Sequence, residues 1–238
     1  MRLVATLRLD VVNQYCQGFY LASVVVLLAI LGLAALLPPE AGAAIPAILL
    51  TNMTIATFVF LGGLVLLEKG EDTLEGMIIS PLRPAEYLAS KVVTLTALAV
   101  IENVAITAMA LSAGLLGPVN WGWILLGSAL AGALYTMLGF LTVIRYDSLN
   151  DFLFPMIFAT VLLELPGAVC FGMPESPVLA VLPTYALLWI FRAAIEPVSA
   201  ATLAYAIVYA LLWFIAAFLI GREMLRRYVA GQLGRVAS

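Results

Sequence analysis

Charge is missing from four long stretches of this chain. No Asp, Glu, Lys or Arg occurs between Asp10 and Glu40, between Glu40 and Glu68, between Glu102 and Arg145, or between Glu196 and Arg222. Residues 103–144 alone could supply two membrane spans of roughly 20 residues each. A helix in water needs a polar face, and these stretches lack one. Charged residues make up 11% of the 238 positions, against about 25% in a soluble domain. The chain is therefore expected to be an all-α polytopic membrane protein.

The same counts exclude several functions. A net charge of −3, with no basic cluster before the C-terminal tail, offers no electrostatic footprint for nucleic acid. The chain has no histidine, which removes the usual zinc sites, Ser–His triads and imidazole proton relays. Its two cysteines, Cys16 and Cys170, make neither a disulfide scaffold nor a CxxC motif. A P-loop needs Gly directly before its Lys, whereas Lys69 and Lys91 follow Glu68 and Ser90. No catalytic residue, metal ligand or nucleotide site is expected on this chain.

Clear apolar spans are Phe19–Leu37, Ile45–Leu67, Val92–Leu116, Trp121–Ile144 and Ala200–Ile220. Between the last two, Phe152–Cys170 is interrupted by Pro155, Glu164 and Pro166, and Val178–Ile195 by Pro183. Proline kinks or ends a helix, so six or seven spans are open on length alone. Basic residues decide. With Phe152–Pro166 crossing and Val178–Ile195 dipping in from outside, Arg2, Arg8, Lys69, Arg83, Lys91, Arg145, Arg222, Arg226, Arg227 and Arg235 share the cytoplasmic side. Only Arg192 is then outside, as the positive-inside rule favours. A seventh span would put the C-terminal arginines outside. Six spans with both termini cytoplasmic, in the inner (plasma) membrane, is the expectation. Trp121, Trp123, Tyr185 and Trp189 fall at headgroup depth in this layout. Cys16 and Cys170 lie on opposite sides.

Residues 1–18 read as an amphipathic helix along the inner leaflet, with Leu3, Leu7, Val11 and Tyr15 at near-helical spacing; the alternative is an ordinary cytoplasmic tail. No repeat or linker divides the chain, so residues 1–238 read as one transmembrane domain.

Eight charges crowd the segment from Glu68 to Lys91. Gly70 can end the second span in a left-handed cap. Asp72 followed by Glu75 is a helix-start pattern, giving a short helix over Thr73–Ile79 with Leu74, Met77 and Ile78 on one face. Ser80-Pro81 and Arg83-Pro84 then redirect the chain, and Pro84 can open the next helix. Such a helix beneath the membrane suits a lever that fits a partner's cleft; a solvated hairpin loop reads equally well from the residues alone.

The run Glu68-x-Gly70, Thr73-Leu74-Glu75, Ser80-Pro81-Leu82 and Glu86-Tyr87, ending at Lys91, resembles the signature loop of ABC-2 type permeases, the membrane subunits of one class of ATP-binding-cassette exporter. Leu182-Pro183-Thr184-Tyr185 with Arg192 is similar to the family's outer re-entrant region, here residues 167–199. The likeness covers nearly the whole chain, and the drug and fluoroquinolone export permeases resemble it best. It departs at Glu71-Asp72, where many members have one residue, so the start of the helix shifts by about one position. The resemblance implies that residues 68–91 hold the coupling helix, with Glu68, Gly70, Asp72, Thr73, Leu74, Glu75 and Met77 at the contact with a separate ATPase. It implies ATP and magnesium on that partner, none here, and a second permease subunit, identical or related. It also implies that the second and fifth spans line the substrate cavity, where Phe58, Phe154 and Phe158 could offer aromatic surface; the alternative is that they face lipid or neighbouring helices.

Glu102 lies about 16 Å along the third span at 1.5 Å per residue, near mid-bilayer. Asn103 and Thr107 follow, and Asn52, Thr54 and Thr57 line the second span. Asn52, Glu102 and Asn103 form either a polar strip along a translocation path or hydrogen bonds that hold helices together; the structural role is preferred for Glu102. Three functions compete. The first is a permease subunit exporting a lipophilic or amphipathic compound. The second is an ATPase-independent secondary transporter or channel using Glu102. The third is an intramembrane enzyme, for which no nucleophile–base pair is visible.

Overall fold

The computed structural model describes residues 2–36, 38–71 and 83–236. Its α-helices are α1 (Arg2–Cys16), α2 (Phe19–Ala35), α3 (Ile45–Met53), α4 (Phe60–Gly70), α5 (Pro84–Ser112), α6 (Trp121–Val143), α7 (Leu149–Glu164), α8 (Pro183–Arg192) and α9 (Ala200–Val236). No strand occurs among the described residues. Five helical stretches are long and apolar enough to cross a membrane: Ala41–Gly70, Pro84–Ser112, Trp121–Val143, Leu149–Phe171 and Ala200–Gly231. A sixth arises if α1 and α2, bent by 67°, count as one.

The second apolar run is continuous through α3 and α4 because a π-helical turn, Thr54–Val59, joins them without a break. Such turns are rare and displace the register of side chains around the helix. Gly139 of α6 faces this turn. A Cβ there would lie 2.9 Å from the Phe58 carbonyl oxygen, so only glycine lets the two backbones approach this closely. α6 is the central helix of the bundle, packing on α5, α8, α9 and the α3–α4 span. Leu49, Leu50, Met53, Leu134, Tyr135 and Phe191 form one buried cluster, and Leu61, Val65, Phe140, Phe152 and Leu225 a second.

Several local expectations need correction. α4 does end at Gly70, but none of its residues adopts the left-handed conformation; positive φ occurs at Gly18, Gly114 and Gly172 among the described glycines. Pro155 does not interrupt the fifth apolar run. α7 absorbs it and continues to Glu164, where the chain tightens into 3-10 turns over Leu165–Phe171 around Pro166. Pro84 opens α5 as expected, and the Arg83 backbone N–H donates to the Glu86 carboxylate at 2.9 Å.

α8 has ten residues, about 15 Å of helix, too short to cross a bilayer. Its chain folds down and returns. Arg192, at its end, bonds Glu175 before it (3.1 Å) and Glu196 after it. Between them, the Val181 carbonyl accepts from the Tyr209 hydroxyl at 2.8 Å, about 14 Å down α9 from Ala200 at 1.5 Å per residue. Asn120, the N-cap of α6, donates its backbone N–H to the Ala194 carbonyl at 2.9 Å, closing this end of the bundle. Cys16 and Cys170 are both free thiols.

α1 differs from an ordinary amphipathic helix. Thr6, Asp10 and Gln14, one turn apart, are buried, while Leu9, Val11, Val12 and Tyr15 are exposed. The polar stripe points into the protein and docks on α5. Asp10 meets Ser90 and Lys91, Gln14 meets Thr94, and in α2 Ser23 meets Glu102. The offset between partners stays near 80 residues throughout, so α1 and α2 accompany α5 on both sides of the Gly18 bend.

Close packing at Gly139 gives a direct test. Gly139→Ala is expected to destabilise the detergent-solubilised protein by about 1–3 kcal/mol through overpacking. Gly32→Ala in α2, where nothing lies within 4 Å of the new Cβ, should instead be neutral or add about 0.5–1 kcal/mol by favouring helix. Thermal unfolding of both variants against the parent checks the contrast.

Candidate functional site

The two ends of the 68–91 segment are fastened. Lys91, fully buried in the first turns of α5, bonds Asp10 of α1 at 2.7 Å and Glu68 of α4. Ser90 donates to the second Asp10 oxygen, and the Tyr87 hydroxyl donates to the second Glu68 oxygen at 2.6 Å. Asp10 and Glu68 are themselves buried. One ammonium thus satisfies two carboxylates away from water, and two hydroxyls fill the remaining acceptor positions. Next to this clamp, Lys69 donates to the carbonyls of Ile144 (2.9 Å) and Tyr146 (2.7 Å) and pairs with Asp147 at 3.1 Å. Its ammonium also lies 4.7 Å from the Tyr228 ring centre of α9. Two neighbouring residues at the end of α4 therefore tie the segment to α1, α5, α9 and the turn between α6 and α7. Gly70 is the last residue of α4. Asp72, Thr73, Leu74, Glu75 and Met77, and with them the expected coupling helix, lie outside the described residues.

A second polar group sits within the apolar bundle. Asn52 donates to Glu102 and to Asn103, each at 3.1 Å, and Asn103 donates to Ser128 of α6 at 3.0 Å. Ser23 of α2 donates to the other Glu102 oxygen. Asn52 and Asn103 are fully buried and Glu102 nearly so. The network joins α2, α3, α5 and α6. Thr57 and Thr107 turn back to their own helices, bonding the Met53 carbonyl (2.6 Å) and the Asn103 carbonyl (2.8 Å).

The three phenylalanines have different surroundings. Phe154 and Phe158 stand on the open face of α7, 79% and 67% exposed, with Ile157 and Val161 beside them. Phe58 is buried in the π turn, and its edge forms part of the wall of a cavity of about 340 Å³ between α6 and α7. On the inner side of α7, Glu164 accepts from Thr51 (2.8 Å) and from Thr54, linking the fifth apolar run to the second.

Sequence reasoning did not single out Asp10, Ser23, Lys69, Ser90 or Ser128 as partners. Only Thr6, Asp10 and Gln14 carried a usable signal, since their i, i+4 spacing puts three polar groups on one helical face. Their common partner, α5, is some 80 residues away and leaves no local trace.

Removing the shared cation should be costly. Lys91→Met is expected to lower stability by about 3–5 kcal/mol, because two buried carboxylates lose their counter-charge. Adding Asp10→Leu and Glu68→Leu to Lys91→Met should recover most of that loss. Thermal unfolding in detergent reads both steps; equal stability of Lys91→Met and parent would contradict the clamp.

Comparison with known proteins matches nearly the whole sequence. The family model described as the fluoroquinolones export permease protein family matches residues 1–233. Two curated proteins named fluoroquinolones export permease protein, from two strains of Mycobacterium tuberculosis, are each 31% identical over 240 residues, covering 98% of this chain and 98% of their own length. A match of that extent on an all-helical chain with five or six membrane-length apolar helices identifies a multi-pass membrane permease rather than an enzyme. The chain belongs to the fluoroquinolones export permease family.

Proposed function

We propose that the protein is the membrane subunit of an ATP-binding-cassette exporter and moves a lipophilic or amphipathic compound, such as a fluoroquinolone, out of the cytoplasm. ATP and magnesium bind a separate ATPase, since this chain has no P-loop. Two permease subunits, identical or related, assemble with two ATPase subunits in the inner membrane. Each permease crosses six times with both termini inside. α1 lies at the inner surface with its apolar face toward lipid, and residues 167–199 form the outer re-entrant region.

The double fastening of the 68–91 segment carries this reading. A loop that receives a mechanical stroke must be fixed at both ends, or the stroke dissipates in the linker. Glu68 and Lys91 join those ends directly. Lys69 extends the connection to the α6–α7 turn, where the span bearing Phe154 and Phe158 begins. Movement of a coupling helix in residues 72–82 would thus reach α1 and α7 together. This is rigid-body alternating access, in which packed elements shift as units. Burial of the Asn52–Glu102–Asn103 network supports a packing role for Glu102, with the path formed instead by the exposed face of α7 against the second subunit.

The tagged full chain should copurify with a P-loop ATPase, and inverted vesicles holding both should accumulate a fluorescent fluoroquinolone only with hydrolysable ATP. Accumulation without ATP, driven by a proton gradient and abolished by Glu102→Gln, would establish the secondary-transporter reading instead. Within the ATP-driven complex, Phe154→Ala and Phe158→Ala should change export several-fold while leaving the amount of assembled complex unaltered. Unchanged export of every compound tried would remove α7 from the path.

A further inference from the structure

The cavity between α6 and α7 has the character of a lipid site. Its wall is apolar along Leu138 and Leu141 of α6, Ala159 and Leu162 of α7, and Phe58 behind them. Arg145, two residues after α6, is the one charged residue on that wall among the described residues. Leu138 and Arg145 are seven positions apart, so the cavity runs roughly 10 Å along the helix from the charge into the apolar layer. A volume of about 340 Å³ falls within the range of ligand pockets. Leu162 is exposed at its edge, so the cavity is open at the surface of the chain, beside and not on the face of α7 that carries Phe154 and Phe158.

The charge at its mouth is uncompensated. Arg145 is exposed and forms no ion pair among the described residues. The acid nearest in sequence, Asp147, is taken by Lys69. Lys69 also holds the Ile144 and Tyr146 carbonyls on either side of Arg145, which fixes the backbone that carries the guanidinium. A planar guanidinium presents paired donors suited to a phosphate. A basic residue between membrane helices on the cytoplasmic side, above an apolar cleft, fits an anionic lipid headgroup and its acyl chain.

We propose that an anionic phospholipid of the inner leaflet occupies this cleft, with its phosphate on Arg145 and one acyl chain against Leu138, Leu141, Ala159 and Phe58. The leaflet rests on the orientation proposed above; the lipid chemistry does not. Because α7 forms one wall and Phe58 the back, the bound chain sets the separation of the second, fourth and fifth apolar helices. The lipid is thus a wedge that holds α7 away from α6.

The test uses the full chain in detergent with added phosphatidylglycerol or phosphatidylcholine of identical acyl chains. Phosphatidylglycerol should bind at least about fivefold more tightly by native mass spectrometry, the weight of one basic residue near an anionic headgroup, and should raise the unfolding temperature more. Arg145→Gln should abolish the preference, Arg145→Lys should retain most of it, and Arg226→Gln, at an exposed arginine of α9, should leave it intact. Ala159→Trp, which fills the cleft, should reduce binding of both lipids. Glycerol phosphate, which lacks chains, should give no stabilisation. Equal binding of the two lipids, a preference that survives Arg145→Gln, or full stabilisation by glycerol phosphate would each overturn the proposal. In a Cys16→Ser, Cys170→Ser background, which removes both free thiols, labelling of Arg145→Cys by an impermeant maleimide in inverted vesicles, and not in intact cells, places the site at the inner leaflet. Labelling from outside would overturn the orientation while the lipid site stood on its binding data.

Discussion

A cation without water has to be answered by anions, and Lys91 is such a cation. The cost of burying an unpaired charge is large enough that the chain must deliver partners to it or fail to close around it. Here the partners come from two directions. Glu68 arrives from the preceding span across the segment it terminates, and Asp10 arrives from the far N-terminus. The placement of α1, the closing of the 68–91 stem and the start of α5 are consequently one event rather than three. Tyr87 and Ser90 complete the arrangement by donating to the carboxylate oxygens that Lys91 leaves open.

Deeper in the bundle the same logic applies with weaker groups. Asn52, Glu102, Asn103, Ser23 and Ser128 form a chain of hydrogen bonds among four helices, where lipid could satisfy none of them. Individually these bonds add little to association in a membrane. Their larger effect is on register, because a helix slid by one turn would leave a buried amide or carboxylate without a partner. The constant offset of α1 and α2 against α5 follows from this. Backbone approach at Gly139 serves the same end by steric means, since only one alignment puts that glycine against the Phe58 carbonyl.

The apolar architecture was legible because the absence of charge is itself a membrane signal, and helix lengths follow from bilayer thickness. Distribution of basic residues argued for a short segment near 178–195, and α8 indeed has too few residues to cross. Less was legible wherever the deciding partner is distant. Nothing near Asp10 announces Lys91, and nothing near Lys69 announces the carbonyls after α6. The π turn at Thr54–Val59 was equally hidden, because Thr-Ile-Ala-Thr-Phe-Val suits an ordinary apolar helix. Gly70 shows a different failure: the helix end was foreseen but its geometry was not, since Gly70 itself stays helical and Glu71 after it keeps a negative φ. Of the site residues, Asn52, Glu102 and Asn103 were expected together and lie together, whereas Phe58 lies apart from Phe154 and Phe158 on the opposite side of α7.

Both lysines end with their ammonium groups enclosed, Lys91 between carboxylates and Lys69 beneath carbonyls and an aromatic ring. In the orientation proposed above, each counts as a free positive charge during synthesis, before those partners have assembled, and would help retain its loop on the cytoplasmic side. After folding, Asp10 and Glu68 offset Lys91, and Asp147 offsets Lys69, in the field felt by lipid headgroups. That field falls to the arginines, with Arg8, Arg83, Arg145, Arg222, Arg226 and Arg227 all exposed. The chain thus divides its cations by chemistry. The compact ammonium groups are withdrawn into the protein against carboxylates and carbonyls, while the exposed guanidinium groups stay available to the membrane surface.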